Sequence, residues 1–414
     1  VVKTASVIGR SFFFRVIEHV LDSMGDIDAR LDYLTHIQML VVRKRIGEIE
    51  YLFRHALARE AVYGSILKQQ RQSIHLKIAA SIEKLFHNKL NEFYGMMAYH
   101  YSQGGDVERT EKYLIKAGNE AMRTSASTEA LYFFQEALNL YLEKYGGAAD
   151  SDEIILLEKN IALAFFNKGN YDHAVKRLDL VLKYHGVTTP KYTLTRLTRL
   201  AYDFLILLIS IYMPLVKFKQ EPGAADKEVL SLCLYRAKAL GVTDPKRFFF
   251  ESINTARKMA RFDLAAIDNG VAFYAGTSVV ISWAGVLFKL CKKILHFCRS
   301  RLTPGDYRSA LFYRMCVLAY NCVAADARVD PYDRQLVDQN LKVGEIYPAV
   351  LYIFHHGHRH LAAGRLEDTR RMIDSLCEIA DGYDNDFART VKYELSIKML
   401  MTYRQVNEAI VQLN

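Results

Sequence analysis

Ile161-Ala162-Leu163-Ala164-Phe165-Phe166-Asn167-Lys168-Gly169-Asn170-Tyr171-Asp172-His173-Ala174-Val175-Lys176-Arg177-Leu178 reads as a helix, a glycine turn and a second helix. Counting Gly169 as position 15 of a repeat of about 34 residues puts Ile161 at 7, Ala162 at 8, Phe165 at 11, Tyr171 at 17, Ala174 at 20 and Leu178 at 24. Small side chains at 8 and 20 let the two helices approach closely, the glycine makes the turn, and the large apolar residues fill the seam. The register is missed by Glu158, where an aromatic residue is usual, and by Val181 at position 27.

This is the pattern of a tetratricopeptide-type helix pair, and it recurs upstream and downstream. With Gly105 at 15, Tyr94 falls at 4, Met97 at 7, Ala98 at 8, Tyr101 at 11, Leu114 at 24 and Ala117 at 27, with Thr110 departing at 20. Ser127-Thr128-Glu129-Ala130, followed by Phe134 and Ala137, fits the second helix of a pair. The small residues Ala98, Gly118 and Ala162 are spaced by 20 and 44 residues, so the array is irregular. A weaker match has Gly364 at the turn, Gly357 at 8 and Ile373 at 24, and Asn407-Glu408-Ala409-Ile410 reads as a truncated second helix. Residues 190–345 are helical by composition but match the repeat poorly, with loops at Pro222, Pro245, Pro304 and Pro331.

The N-terminal part reads differently. All seven prolines lie at or beyond Pro190, so tight turns at Gly, Asn or Asp must punctuate what precedes. Ser11 is placed to cap a helix with Phe12, Phe13, Val16, Ile17, Val20 and Leu21 in one stripe, and Asp26 or Asp28 opens a second helix carrying Leu31, Leu34 and Ile37. Leu40 to Phe53 reads as a hairpin turning at Gly47-Glu48 with a type II′ turn. Helical spacing returns from His55 to Leu67 and again at Ile74, Ile78, Ile82 and Leu85. Helix, helix, hairpin, helix is the outline of a winged helix. The expected fold is mainly α: a small winged-helix domain with its linking helix over 1–88, then an irregular TPR-like α-solenoid with repeats over 89–189, irregular helices over 190–345 and further repeats over 346–414.

Composition sets bounds on this reading. The 414 residues are 51% hydrophobic and 24% charged, and a mean hydropathy near zero does not suggest a multi-span membrane protein. Of the net charge of +9, more than half lies in residues 1–90, which hold 14 Lys and Arg against 9 Asp and Glu. Nucleic acid or an anionic surface is a permitted partner, yet the longest basic run is Arg43-Lys44-Arg45, and the second helix carries Asp26, Asp28 and Asp32 against Arg30 alone. Acidic groups repel phosphate, which argues against DNA binding by this module. Six cysteines without a Cys-x-x-Cys read as reduced core thiols of an intracellular protein. The chain begins Val1-Val2-Lys3, without an initiator methionine or signal-like segment, as a piece of a longer polypeptide would.

Catalytic motifs are missing from the sequence. There is no Gly-Lys dipeptide and hence no phosphate-cradling P-loop, no G-x-G-x-x-G, no Gly-x-Ser-x-Gly and no His-Glu-x-x-His. His356 and His360 stand at i,i+4, and His355 and His358 at i,i+3, either pair being close enough on a helix to share a metal ion. The repeat register instead puts His356 and His360 at packed positions 7 and 11, and no third ligand follows in the same helix. The 19 uncharged residues from Gly270 to Phe288 are nominally long enough to span a membrane; their many Gly, Ser and Thr residues favour a packed soluble helix. The run Phe204 to Val216 is too short.

The segments Val1-Val2-Lys3-Thr4-Ala5-Ser6-Val7-Ile8-Gly9-Arg10-Ser11-Phe12 and Phe53-Arg54-His55-Ala56-Leu57-Ala58-Arg59-Glu60-Ala61-Val62-Tyr63, with Gln70-Arg71 and His75-Leu76-Lys77 after it, resemble the region that follows the ATPase core in STAND-type signalling ATPases. Within that class the resemblance is nearest to soluble adenylyl cyclases and bacterial cyclase-linked relatives, whose tails are also similar at Tyr212-Met213-Pro214-Leu215-Val216-Lys217-Phe218 and Thr243-Asp244-Pro245-Lys246-Arg247-Phe248. The resemblance implies a cytoplasmic, non-catalytic regulatory region that follows an ATPase domain of the same polypeptide and binds a protein partner on the concave face of its solenoid. It implies ATP or ADP as the cofactor of the parent protein, bound by the upstream core. It implies a role for His55 as well: the histidine of a His-Asp-Leu motif in this class reaches the phosphates of bound ADP, and His55-Ala56-Leu57 occupies the corresponding place with alanine for the acid. Two other readings stand beside it, a cyclase or ATPase enzyme whose catalytic domains lie upstream and a transcription regulator of the STAND class.

Overall fold

The computed structural model describes residues 1–21, 25–45, 48–148, 150–187, 193–212, 220–267, 269–283, 285, 287–324 and 330–413. Among them are 21 α-helices and one three-stranded sheet, so the chain is mainly α. Two units separate by their contacts, Val1–Ala121 with Tyr132–Asp150, and Met122–Leu131 with Ser151–Asn414.

The first unit opens with α1 (Val2–Ile8), β1 (Ser11–Phe13), α2 (Phe14–Val20), α3 (Ile27–His36), β2 (Leu40–Arg45) and β3 (Glu48–Phe53). Ser11 does not cap a helix, contrary to the sequence expectation. Ser11–Phe13 pairs antiparallel with β3, Phe12 opposite Tyr51, and the two rings stack at 5.7 Å. An aromatic pair across a strand interface outweighs the helical period of Phe12 and Phe13, and the helix starts only at Phe14. Asp26 precedes α3 as expected, but in a left-handed conformation and without a capping hydrogen bond. β2 and β3 form a hairpin as expected, Leu40 opposite Phe53 and Arg45 opposite Glu48, but that register puts Glu48 in the strand and not in the turn expected at Gly47-Glu48; Gly47, on which the turn type rested, lies outside the described residues. The strand order is β1-β3-β2.

α4 (Ala56–Gly64) and α5 (Lys68–Leu85) follow, then α6 (Tyr94–Gly104), α7 (Val107–Arg123) and α8 (Ser127–Tyr145). Met97, Ala98 and Tyr101 of α6 are buried at the positions the repeat register gave them. Gly118 of α7 faces the ring of Phe134, which a Cβ would approach to 2.6 Å, so the small residue is what lets these helices close up. Glu83 of α5 accepts hydrogen bonds from Tyr101 (3.2 Å) and Tyr113 (2.5 Å), which tie α5 to α6 and α7 and hold the carboxyl below its usual range.

The second unit comprises α9 (Ser151–Lys168), α10 (Tyr171–Tyr184), α11 (Thr193–Tyr212), α12 (Ala224–Thr243), α13 (Pro245–Met259), α14 (Gly270–Trp283), α15 (Phe288–Arg299), α16 (Tyr307–Val323), α17 (Arg334–Lys342), α18 (Ile346–Ala362), α19 (Leu366–Gly382), α20 (Asp386–Thr402) and α21 (Val406–Leu413). α9 and α10 form the hairpin read from Ile161–Leu178, with Ile161, Ala162, Tyr171, Ala174 and Leu178 buried. α18 and α19 form another around Gly364, and Ala409 of α21 is buried. The apolar run from Gly270 breaks at Trp283, where α14 ends, and no helix among the described residues is long and apolar enough to cross a membrane. Met213–Val216 of the shorter run lie outside the described residues, as do Met213–Phe218 of the tail resemblance.

Two features of this unit have no sequence signature. The first is a buried ionic network: Arg236 of α12, 2% exposed, bonds Glu251 of α13 (2.7 Å) and Asp179 of α10 (3.2 Å), and Arg247 of α13 also bonds Asp179 (2.8 Å). The second is closure. The α9–α10 turn meets the start of α20, where Asn385 Nδ2 donates to Asn167 O (2.9 Å). Tyr171 packs edge-on against Tyr347 of α18 and Phe387 of α20.

Candidate functional site

His55 stands at the junction between β3 and α4. Its backbone is extended, its carbonyl accepts from Arg59 N (3.3 Å), and its imidazole makes no capping hydrogen bond. The ring is exposed, and Leu57 two residues on is 78% exposed, so α4 turns an apolar side chain outward although its sequence has helical apolar spacing. The same helix is fixed from its other side. Arg59 Nε donates to Ser6 O (2.9 Å), and the guanidinium groups of Arg59 and Arg71 lie over the ring of Tyr63 at 5.3 and 4.9 Å.

Behind Tyr63 lies a histidine pair, His75 of the resemblance motif and His100, which no motif marks. Tyr63 OH is 3.1 Å from His75 Nε2, and His75 Nδ1 is 2.8 Å from His100 Nδ1 on α6. One Nδ1 must donate to the other, so the contact requires at least one neutral ring. Burial, and then the arginines beside His75, press its pKa down to about 4; burial and His75 press that of His100 down to about 3.

The basic hairpin is partly neutralised. Arg43 Nε lies 2.5 Å from the carboxylate of Glu50, a buried residue on the neighbouring strand, and the side chain of Arg45 lies outside the described residues. The α18 histidines do not converge on a point. His356 is buried between Tyr332 and Tyr352, and His360 stacks on it at 6.1 Å with its Nδ1 3.9 Å from Asp368. His358 sits edge-on to Phe354, and His355 points to the other side of the helix. Among the described residues no group of three or more His, Cys, Asp or Glu could hold a metal ion. Cys233, Cys291, Cys298 and Cys316 are buried free thiols, Cys377 is half-buried and Cys322 exposed.

The second unit encloses an apolar cavity of about 240 Å³. α12, α13, α14, α16, α18 and α20 all contribute to its wall, which includes Phe248, Phe273, Val279, Phe312, Met315 and Leu351. Trp283, 48% exposed, and the exposed Glu394 mark where it reaches solvent. One cation lines it. Lys238 is 8% exposed, and its ammonium lies 5.0 Å from the ring centroid of Phe312 and 5.6 Å from that of Tyr235. Burial lowers its pKa, while Glu345 opposes that shift from beyond ion-pair distance; Glu345 itself is 4.0 Å from Arg308. His355 also lines the cavity, its pKa pressed to about 4 by burial and the neighbouring histidines, so it presents a neutral ring. A second, polar cavity of about 450 Å³ lies on the far side of Tyr347, with Arg308, Lys342 and Glu345 in its wall.

Lys238 was not legible as a site residue. The available signal was that α12 between Leu230 and Leu240 carries no polar residue but Ser231, Arg236 and Lys238, and a helix apolar almost all round is buried with its charges. Arg236 proves to be the ion-paired one.

No family model matches the chain. An uncharacterized protein of Rhizobium meliloti (strain 1021) is 28% identical over 142 residues, which are 34% of this chain and 14% of that protein. A crystal structure of a STAND protein with a tetratricopeptide repeat sensor from Pyrococcus horikoshii aligns over 99% of this chain and 64% of its own, with 13% identity and a TM-score of 0.31. The chain thus spans about a seventh of the first and under two thirds of the second. Neither similarity carries an assignment.

Proposed function

We propose that this chain is the regulatory and protein-interaction region of a STAND-class signalling ATPase, with residues 1–88 a winged helix that docks on an ATPase core and the helical array after it a sensor for a partner or signal. The observation that carries the reading is His55: an exposed, unengaged imidazole beside an exposed Leu57, at the end of a strand in a helix–strand–helix–helix–hairpin module. An apolar side chain held outward next to a free donor is what a surface awaiting another domain presents. In this reading His55 contacts the phosphates of ADP on the core and favours a closed state, and a partner bound by the array favours the open one. The two ligands then shift one equilibrium in opposite directions, each by its differential affinity.

The chain itself is proposed to be non-catalytic, with the parent's nucleotide or cyclase chemistry residing upstream. The experiment is to measure ADP dissociation and basal output of the full-length parent with and without His55→Ala. Faster ADP release with raised basal output supports the reading; unchanged values for both defeat the sensor role. ATP turnover by purified 1–414 would defeat the regulatory assignment as a whole.

A further inference from the structure

The apolar cavity of the second unit combines two features that burial alone would not select together. Its wall is aromatic and aliphatic, yet it admits a lysine. Removing an ammonium from water is costly unless a counter-charge or a hydrogen-bonding partner replaces the lost hydration. Lys238 makes no ion pair or hydrogen bond among the described residues: the Glu345 carboxylate acts on it only from beyond ion-pair distance, and its close contacts are two ring faces, which offer only part of what hydration did. Arg236, two residues earlier on the same helix and still more buried, is supplied with Glu251 and Asp179. The fold therefore gives one cation of α12 two ion-pair partners and sets the other, without a contacting one, in the wall of a cavity.

We propose that this cavity is a binding site for a small amphipathic carboxylate, whose apolar body fills the space between Phe248, Phe273 and Met315 and whose carboxylate pairs with Lys238. Size and charge both fit. An apolar cavity of about 150 Å³ takes benzene, so one of about 240 Å³ takes an aryl or medium-chain aliphatic group. His355, held neutral on the same wall, is a further hydrogen-bonding group for the carboxylate, and Glu394 at the mouth is paired with Lys398, so the entrance does not present an unbalanced negative charge. The inference is independent of the His55 reading: it concerns a different unit and requires no nucleotide.

The test uses decanoate and its neutral analogue decanol as probes, titrated calorimetrically into the 414-residue chain and into the Lys238→Met and Gly276→Leu variants. Gly276 faces Phe312 across 3.5 Å from where its Cβ would stand, so a leucine there occupies cavity space. Decanoate is expected to bind at least tenfold more tightly than decanol to the parent chain. Lys238→Met should melt no lower than the parent, because it removes an unpaired buried charge, and should bind the two probes equally. Gly276→Leu should weaken both. Equal binding of decanoate and decanol by the parent chain, no binding of either, or undiminished decanoate binding in Lys238→Met overturns the proposal. A folded Gly276→Leu chain that binds decanoate as the parent does overturns it too, by placing the probe elsewhere.

Discussion

Gly169 lies against the backbone of Phe387, 218 residues further along the chain: a Cβ on Gly169 would stand 2.6 Å from Phe387 N and 2.9 Å from Asn385 Oδ1. The glycine does two things at once. Its φ of +81° turns α9 into α10, and its missing side chain lets the start of α20 close on that turn.

Gly169→Ala should therefore cost more than an ordinary turn glycine does. Gly186 has a comparable φ of +74° and open space around it. Gly186→Ala should lose about 1–2 kcal/mol from the left-handed conformation alone, and Gly169→Ala roughly 3 kcal/mol or more because the backbone of α20 must also move. Urea midpoints of the two variants check this; equal losses would mean that the contact with Phe387 carries no strain.

Arg236→Ala should destabilise the second unit by about 3–5 kcal/mol, since it leaves the buried Glu251 without its partner. Arg247→Ala should cost less, because its guanidinium is about a quarter exposed and Arg236 still reaches Asp179. Replacing Arg236 and Glu251 together by methionine should recover most of the loss, which a double-mutant cycle in urea measures.

The histidine pair predicts an acid-sensitive first unit. The ordinary histidine pKa is 6.5, and folding holds His75 near 4 and His100 near 3. Above pH 6.5 neither state binds these protons and the pair is fully stabilising. Below it the unfolded chain takes up protons that the folded pair refuses, so stability falls as pH drops from about 6.5 towards 4 and 3. Protection factors of α5 and α6 amides should fall over that window, and His100→Gln should flatten the dependence. His355 and His356, both held near 4, add a loss of the same sign in the second unit.

His55→Ala should leave stability unchanged within about 0.5 kcal/mol, because the ring is exposed and caps nothing. Thermal melts of the chain check this prediction. A large drop in melting temperature would reveal a structural role for the ring.

Local order was legible in the residues themselves. Small side chains at Ala98, Gly118, Ala162 and Ala174, and turn glycines at Gly105, Gly169 and Gly364, specify helix pairs because helix approach and turn geometry depend on neighbours in the chain. The hairpin from Leu40 to Phe53 was legible for the same reason. Ser11–Phe13 was not: its helical period is real, and only the edge of β3, nearly forty residues away, makes a strand of it.

What the tertiary structure alone decided is where the array closes and which charges it encloses. Nothing near Gly169 in sequence announces Phe387, and nothing near Lys238 distinguishes it from Arg236, since both stand in one apolar helix. Their difference arises when α10 and α13 bring Asp179 and Glu251 into ion-pair contact with one of them, while the other meets the ring of Phe312, a cavity and only the more distant Glu345. Periodicity reports which face of a helix is buried; the partner of a buried charge is set by helices far away in the chain.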